Sequence, residues 1–140
     1  MNPLKGVVAG FIATVVLSIL MIIKAFSHWL SAFNAIEAIH RLTGGLLVMG
    51  WVGHFVIGAI LWGVLFALLY RRLPGNRGLV RGIVFGLFAW LAMMLLFLPV
   101  TGYGFFGIAI GWPLIGFTLA MHIVYGNVLG MSYASLTGQR

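Results

Sequence analysis

The sequence predicts an all-α membrane fold: an up-down bundle of four transmembrane helices in which one helical hairpin occurs twice in parallel, with both termini cytoplasmic. Three observations predict it. Of 140 residues, 63% are apolar and only 6% are charged, whereas a soluble domain spends about a quarter of its residues on charges. Four apolar stretches reach the roughly 20 residues that a helix needs to cross a hydrocarbon core about 30 Å thick. Two segments of the first half also recur in the second half at fixed offsets.

The spans are placed at Leu4–Phe26, Leu46–Tyr70, Leu79–Leu98 and Pro113–Leu136. Each is helical because in lipid every backbone N–H and C=O must be satisfied internally. Pro113 suits the first turn of the fourth helix, where a missing N–H costs nothing. Ala25-Phe26-Ser27 could serve as a signal-peptide cleavage site, but the apolar run before it is too long for an h-region. The whole chain, residues 1–140, reads as one membrane domain, with repeat 1 over 4–72 and repeat 2 over 79–138.

Orientation follows from Lys and Arg in the short connections. Lys5, Arg71, Arg72, Arg77, Arg81 and Arg140 flank one side, against Lys24 and Arg41 on the other. That bias places the termini inside and the protein in a bacterial inner membrane. The net charge of +7 does not indicate nucleic acid, because the cations sit at the ends of apolar runs without a binding stripe.

The repeat is visible residue by residue. Lys5-Gly6-Val7-Val8-Ala9-Gly10 matches Arg81-Gly82-Ile83-Val84-Phe85-Gly86 at an offset of 76, and His54-Phe55-Val56-Ile57-Gly58 matches His122-Ile123-Val124-Tyr125-Gly126 at an offset of 68. Two helices per unit preserve direction, so the repeat is parallel. Gly6, Gly10, Gly58, Gly82, Gly86 and Gly126 are expected to let helices approach closely. Trp51, Trp62, Trp90 and Trp112 are expected to pack or to anchor at the interface.

His54 and His122 fall some 10–15 Å below the outer boundary, a depth at which lipid cannot solvate an imidazole. One reading is a dry core in which each ring bonds a backbone carbonyl or a neighbouring hydroxyl, Ser18 or Thr118. A second is axial ligation of a haem b, since an up-down bundle sets its second and fourth helices diagonally across the core. That architecture resembles the four-helix core of membrane b-type cytochromes, and the resemblance implies His54 and His122 as the ligands. It departs from them in having one histidine per helix instead of two. A third reading is a metal site or proton relay at the outer side, where His28, His40 and Glu37 also lie.

Asn34-Ala35-Ile36-Glu37 has capping-box form, predicting a short helix from Ala35 to Leu42 that stops at Thr43-Gly44-Gly45. Glu37 then stands near His40 as a metal-ligand pair, or against Arg41 as an i, i+4 ion pair, which the single acid in the chain favours. The segment Phe26–Leu42, including Trp29, is expected to lie along the interface, apolar side down. The connection from Pro99 to Trp112 holds no charge and should dip into headgroups, cap the bundle or pack on another protein.

Gly6-x-x-x-Gly10, Trp51-x-x-His54, the run from Leu61 to Gly75, Arg81-Gly82-x-x-x-Gly86 and His122-x-x-Tyr125-Gly126 together are similar to a family of small bacterial four-helix membrane proteins of unknown function, over most of the chain. The resemblance implies the fold and no activity. With one carboxylate and no cysteine, the chain is expected to be non-enzymatic. Continuous spans free of acids also speak against a coupled transporter. The function expected first is an accessory or scaffold subunit on a larger membrane complex, respiratory or otherwise redox, with lipid and other subunits or further copies of itself as partners. The alternatives are the b-type electron carrier and outer-face metal handling through His28, Glu37 and His40.

Overall fold

The computed structural model describes residues 1–28 and 30–139; Trp29, counted above in the interfacial segment, and Arg140, counted in the charge bias, lie outside the described residues. Among those residues the chain is helical without strands. Four helices are long and apolar enough to cross a membrane: α1 (Pro3–Phe26), α3 (Val48–Leu69), α4 (Gly78–Val100) and α5 (Trp112–Thr137). The short α2 (Ala35–Thr43) precedes α3.

Local chemistry sets the boundaries. Asn2 caps α1 by accepting from the Lys5 N–H at 3.1 Å. Asn34 caps α2 by accepting from Ile36 N–H at 3.0 Å and Glu37 N–H at 3.3 Å, and α2 stops where Gly44 and Gly45 take φ of 70° and 78°. Glu37 does not close the box from its side, because its carboxylate is taken by Arg41 at 2.7 Å. The apolar side of α2 is turned onto α3, where Gly50 and Gly53 leave room for Ile36 and Ile39.

Three helix pairs approach closely: α1 with α3, α1 with α5, and α4 with α5. Between α1 and α3 and between α4 and α5, glycine makes this possible. A Cβ at Gly10 would sit 2.8 Å from the Ala59 carbonyl oxygen, and one at Gly6, Gly58, Gly82, Gly86 or Gly126 would be nearer still to an atom of the facing helix. Helices α3 and α4, by contrast, meet through large rings: Phe66 and Phe85 at 5.1 Å and Trp62 and Phe85 at 5.8 Å between centroids. With Tyr70 and Tyr133 these rings fill the half of the bundle that carries the termini. There Asn2 N–H donates to the Tyr133 hydroxyl at 3.1 Å and Lys5 Nζ to the Leu136 carbonyl at 2.8 Å, so the two termini share one end.

Two of the spans are not uniformly α-helical. Helix α3 widens into a π-helical stretch at Val56–Trp62, and α4 at Met93–Phe97. Neither stretch breaks its helix, so both spans are continuous, as expected from the sequence. At the far end the uncharged connection folds over the α4–α5 pair. Tyr103 packs edge-on against Phe33 at 5.4 Å, and Gly107, at φ 64°, lets the chain pass beside Leu98 and Leu114. Phe105, Ile108 and Trp112 are left facing outward.

Candidate functional site

Large rings close one half of the bundle; the other half holds a cavity of about 580 Å³, within the range of small-molecule sites. All four long helices and α2 contribute to its wall. The two π-helical stretches flank it, with Ile57, Gly58 and Leu61 on α3 and Met93, Leu96 and Phe97 on α4. Such wide turns recur at functional sites because they displace a helix face from its regular register. The cavity is open between α3 and α4: Leu61, Leu96 and Val100 line it and are 54%, 66% and 69% exposed.

Both deep histidines line this one cavity. His54, two turns into α3, places Nε2 3.2 Å from the Ser18 hydroxyl of α1. His122, about three turns into α5, has Nδ1 2.8 Å from the Thr118 carbonyl of its own helix. Of the two partners named from the sequence, Ser18 bonds through its hydroxyl as expected of a neighbouring helix, and Thr118 through its backbone. The Thr118 hydroxyl itself donates to the Leu114 carbonyl at 2.7 Å and receives Trp90 Nε1–H at 3.2 Å.

Tyr125 is a member of the site that sequence reasoning missed. Its hydroxyl donates to the Gly58 carbonyl at 2.6 Å, tying α5 to the π-helical stretch of α3 across the core. The signal was a tyrosine in mid-span, whose hydroxyl must find a partner when buried. Lys24, also in the wall, donates to the carbonyls of Leu30 and Phe33 at 2.8 and 2.6 Å and lies 5.9 Å from the centre of the Phe117 ring. The ammonium thereby ties the connection between α1 and α2 to the cavity rim.

The remaining candidates lie apart from this wall. Glu37 and Arg41 form an exposed ion pair on α2. His40 is on the same helix, with its Nδ1 buried and unpartnered. Among the described residues, no three His, Asp or Glu side chains gather as a metal-binding group, so His28, Glu37 and His40 do not form one. The arrangement can hold an apolar molecule and offer it two imidazoles; its wall carries no carboxylate or thiol.

A family model described as a family of unknown function (DUF6789) matches residues 1–140. No curated protein and no solved structure matches the chain.

Proposed function

We propose, for a chain that belongs to the DUF6789 family over its full length and inherits no activity from it, that it is a multi-pass membrane protein acting as a non-catalytic accessory subunit of a larger, redox-type membrane assembly. What it contributes is the cavity. The observation that carries this reading is the pairing of a laterally open, largely apolar chamber with a wall that offers two imidazoles but no carboxylate or thiol to transform its content. A body of that kind supplies a molecule to chemistry done elsewhere. The uncharged rim at Phe105, Ile108 and Trp112, 64%, 81% and 81% exposed, supports a partner or headgroup contact at the same end.

The placement proposed is the bacterial inner membrane with both termini cytoplasmic. Support comes from Lys5, Arg71, Arg72, Arg77 and Arg81 at the end that carries the termini. A parallel duplication is supported by the matching glycine seams, Gly10 against Gly58 in the first hairpin and Gly86 against Gly126 in the second. Mild-detergent extraction followed by native electrophoresis tests the subunit role. The expected result is migration with a larger assembly; recovery only as a stable isolated monomer overturns it.

The second reading, a b-type haem protein, is favoured by one observation: His122 donates Nδ1–H to a carbonyl, the arrangement that orients metal-ligating imidazoles. His54 would have to leave Ser18 to offer Nε2 to iron. A reduced-minus-oxidised visible spectrum after expression with ample haem decides it, since absence of a haem band removes the reading. A metal role for His28, Glu37 and His40 has less behind it, because Glu37 is committed to Arg41.

A further inference from the structure

The hydrogen-bond partners around the two histidines assign the proton of each ring to one nitrogen. Ser18 has one hydroxyl hydrogen, and it is directed to the Thr14 carbonyl at 2.8 Å. With the hydrogen on that shorter bond, the oxygen accepts from His54 at 3.2 Å, and the proton of His54 is assigned to Nε2. The Thr118 carbonyl is likewise an acceptor only, so His122 carries its proton on Nδ1. The two rings are held in opposite tautomers, leaving His54 Nδ1 and His122 Nε2 as bare lone pairs. Neither has a hydrogen-bond partner among the described residues, yet the one buried, unpartnered side-chain nitrogen or oxygen is His40 Nδ1. The two bare nitrogens therefore retain accessible surface, and the space both residues line is the cavity.

An apolar chamber with two acceptors and flat walls selects its content. A quinone or ketone, which only accepts, would set lone pair against lone pair. A molecule with two donors satisfies both nitrogens, and bare acceptors in a dry site penalise any occupant that leaves them unmade. Trp51, Trp62, Phe97 and Phe117 in the wall suit a flat ring. The gap between α3 and α4, edged by Leu61 and Leu96, gives an apolar tail a way out to lipid.

We propose that this cavity binds a hydroquinone-type amphiphile, an aromatic ring with two opposed hydroxyls and an apolar tail, with the hydroxyls donating to His54 Nδ1 and His122 Nε2 and the tail leaving between α3 and α4. The inference rests on the cavity being a ligand site and is independent of which assembly the chain joins.

The test is calorimetric titration of the full-length protein in nanodiscs, under argon, with four probes: decylhydroquinone, the corresponding decylquinone, the dimethyl ether of the hydroquinone, and decanol. Each donor hydrogen bond is a factor of several in affinity. The hydroquinone is expected to bind about tenfold or more tighter than the other three. His122→Leu should abolish that preference. Because His122 is buried in the bundle, Ala92→Trp, which puts a bulky ring into the chamber from the α4 wall and leaves both histidines in the sequence, provides a second variant and should weaken binding of every probe. Equal affinity for hydroquinone and quinone, or for hydroquinone and decanol, overturns the proposal, as does a preference unchanged in His122→Leu. Another apolar molecule carried through purification, with no hydroquinone affinity, overturns the ligand class and leaves the subunit reading standing. Hydroquinone binding by a chain that is only ever an isolated monomer does the reverse.

Discussion

Substituting one methyl group at Gly82 should destabilise the bundle measurably, while the same methyl at Gly116 should not. A Cβ at Gly82 would lie 2.8 Å from Gly130 Cα and 2.9 Å from Gly130 N, and closer still to the Gly126 carbonyl oxygen, whereas ordinary contact starts at 3.4 Å. These neighbours are backbone and cannot rotate away, so α4 and α5 must part by about 1 Å, forfeiting between a quarter and a half of each dispersion contact along the seam. In lipid no hydrophobic drive between helices makes up the difference. Overpacking of this kind costs about 1–3 kcal/mol, or a fall in Tm of roughly 3–12 °C for a chain of this size. Gly116 has nothing within 4 Å of the added carbon; there alanine gains only helix propensity, about 0.5–1 kcal/mol in the stabilising direction. Unfolding by sodium dodecyl sulfate, followed by circular dichroism in mixed micelles, measures both. If Gly82→Ala matched wild type, or if the two variants shifted the same way, close backbone packing would not be what holds α4 to α5.

Three further outcomes follow from local geometry. Asn34→Ala removes the acceptor for two N–H groups at the start of α2 and should weaken that helix by about 1 kcal/mol, read as several-fold faster amide exchange in Ala35–Thr43; Glu37→Ala, which removes a half-exposed ion pair, should leave exchange there nearly unchanged. Ser18→Ala strands the His54 Nε2–H and should cost about 1 kcal/mol, with ¹⁵N spectra showing the wild-type ring protonated at Nε2 and His122 at Nδ1. A wild-type His54 protonated at Nδ1 would contradict the bonding assigned to Ser18. Because the chain has no cysteine, single replacements report topology directly: Arg77→Cys should react with a membrane-impermeant maleimide only in inside-out vesicles, and Gly104→Cys only in right-side-out ones.

The four long helices were legible because bilayer thickness sets their length, and their ends fall within about two residues of the apolar runs. Helix α2 was legible for a different reason: Asn34 and the Gly44-Gly45 pair are chemical punctuation. The wide turns at Val56–Trp62 and Met93–Phe97 left no mark, since an i→i+5 turn needs neither proline nor a special side chain. Nor could the cavity be read in advance. It exists because α3 and α4 are held apart by Trp62, Phe66 and Phe85 at one end, and which neighbours separate is a property of the assembled bundle. The histidines show both cases. Ser18 could be named because an imidazole at that depth needs a nearby hydroxyl; the tautomers could not, because they depend on where the Ser18 and Thr118 groups point.

The account stands on the chamber between α3 and α4 holding an apolar molecule, and native mass spectrometry tests that most directly. Wild-type protein released from nanodiscs made of its own membranes should carry a bound small molecule that Ala92→Trp, folded to the same degree, has lost. Equal adducts on both proteins, or none on either, would contradict it.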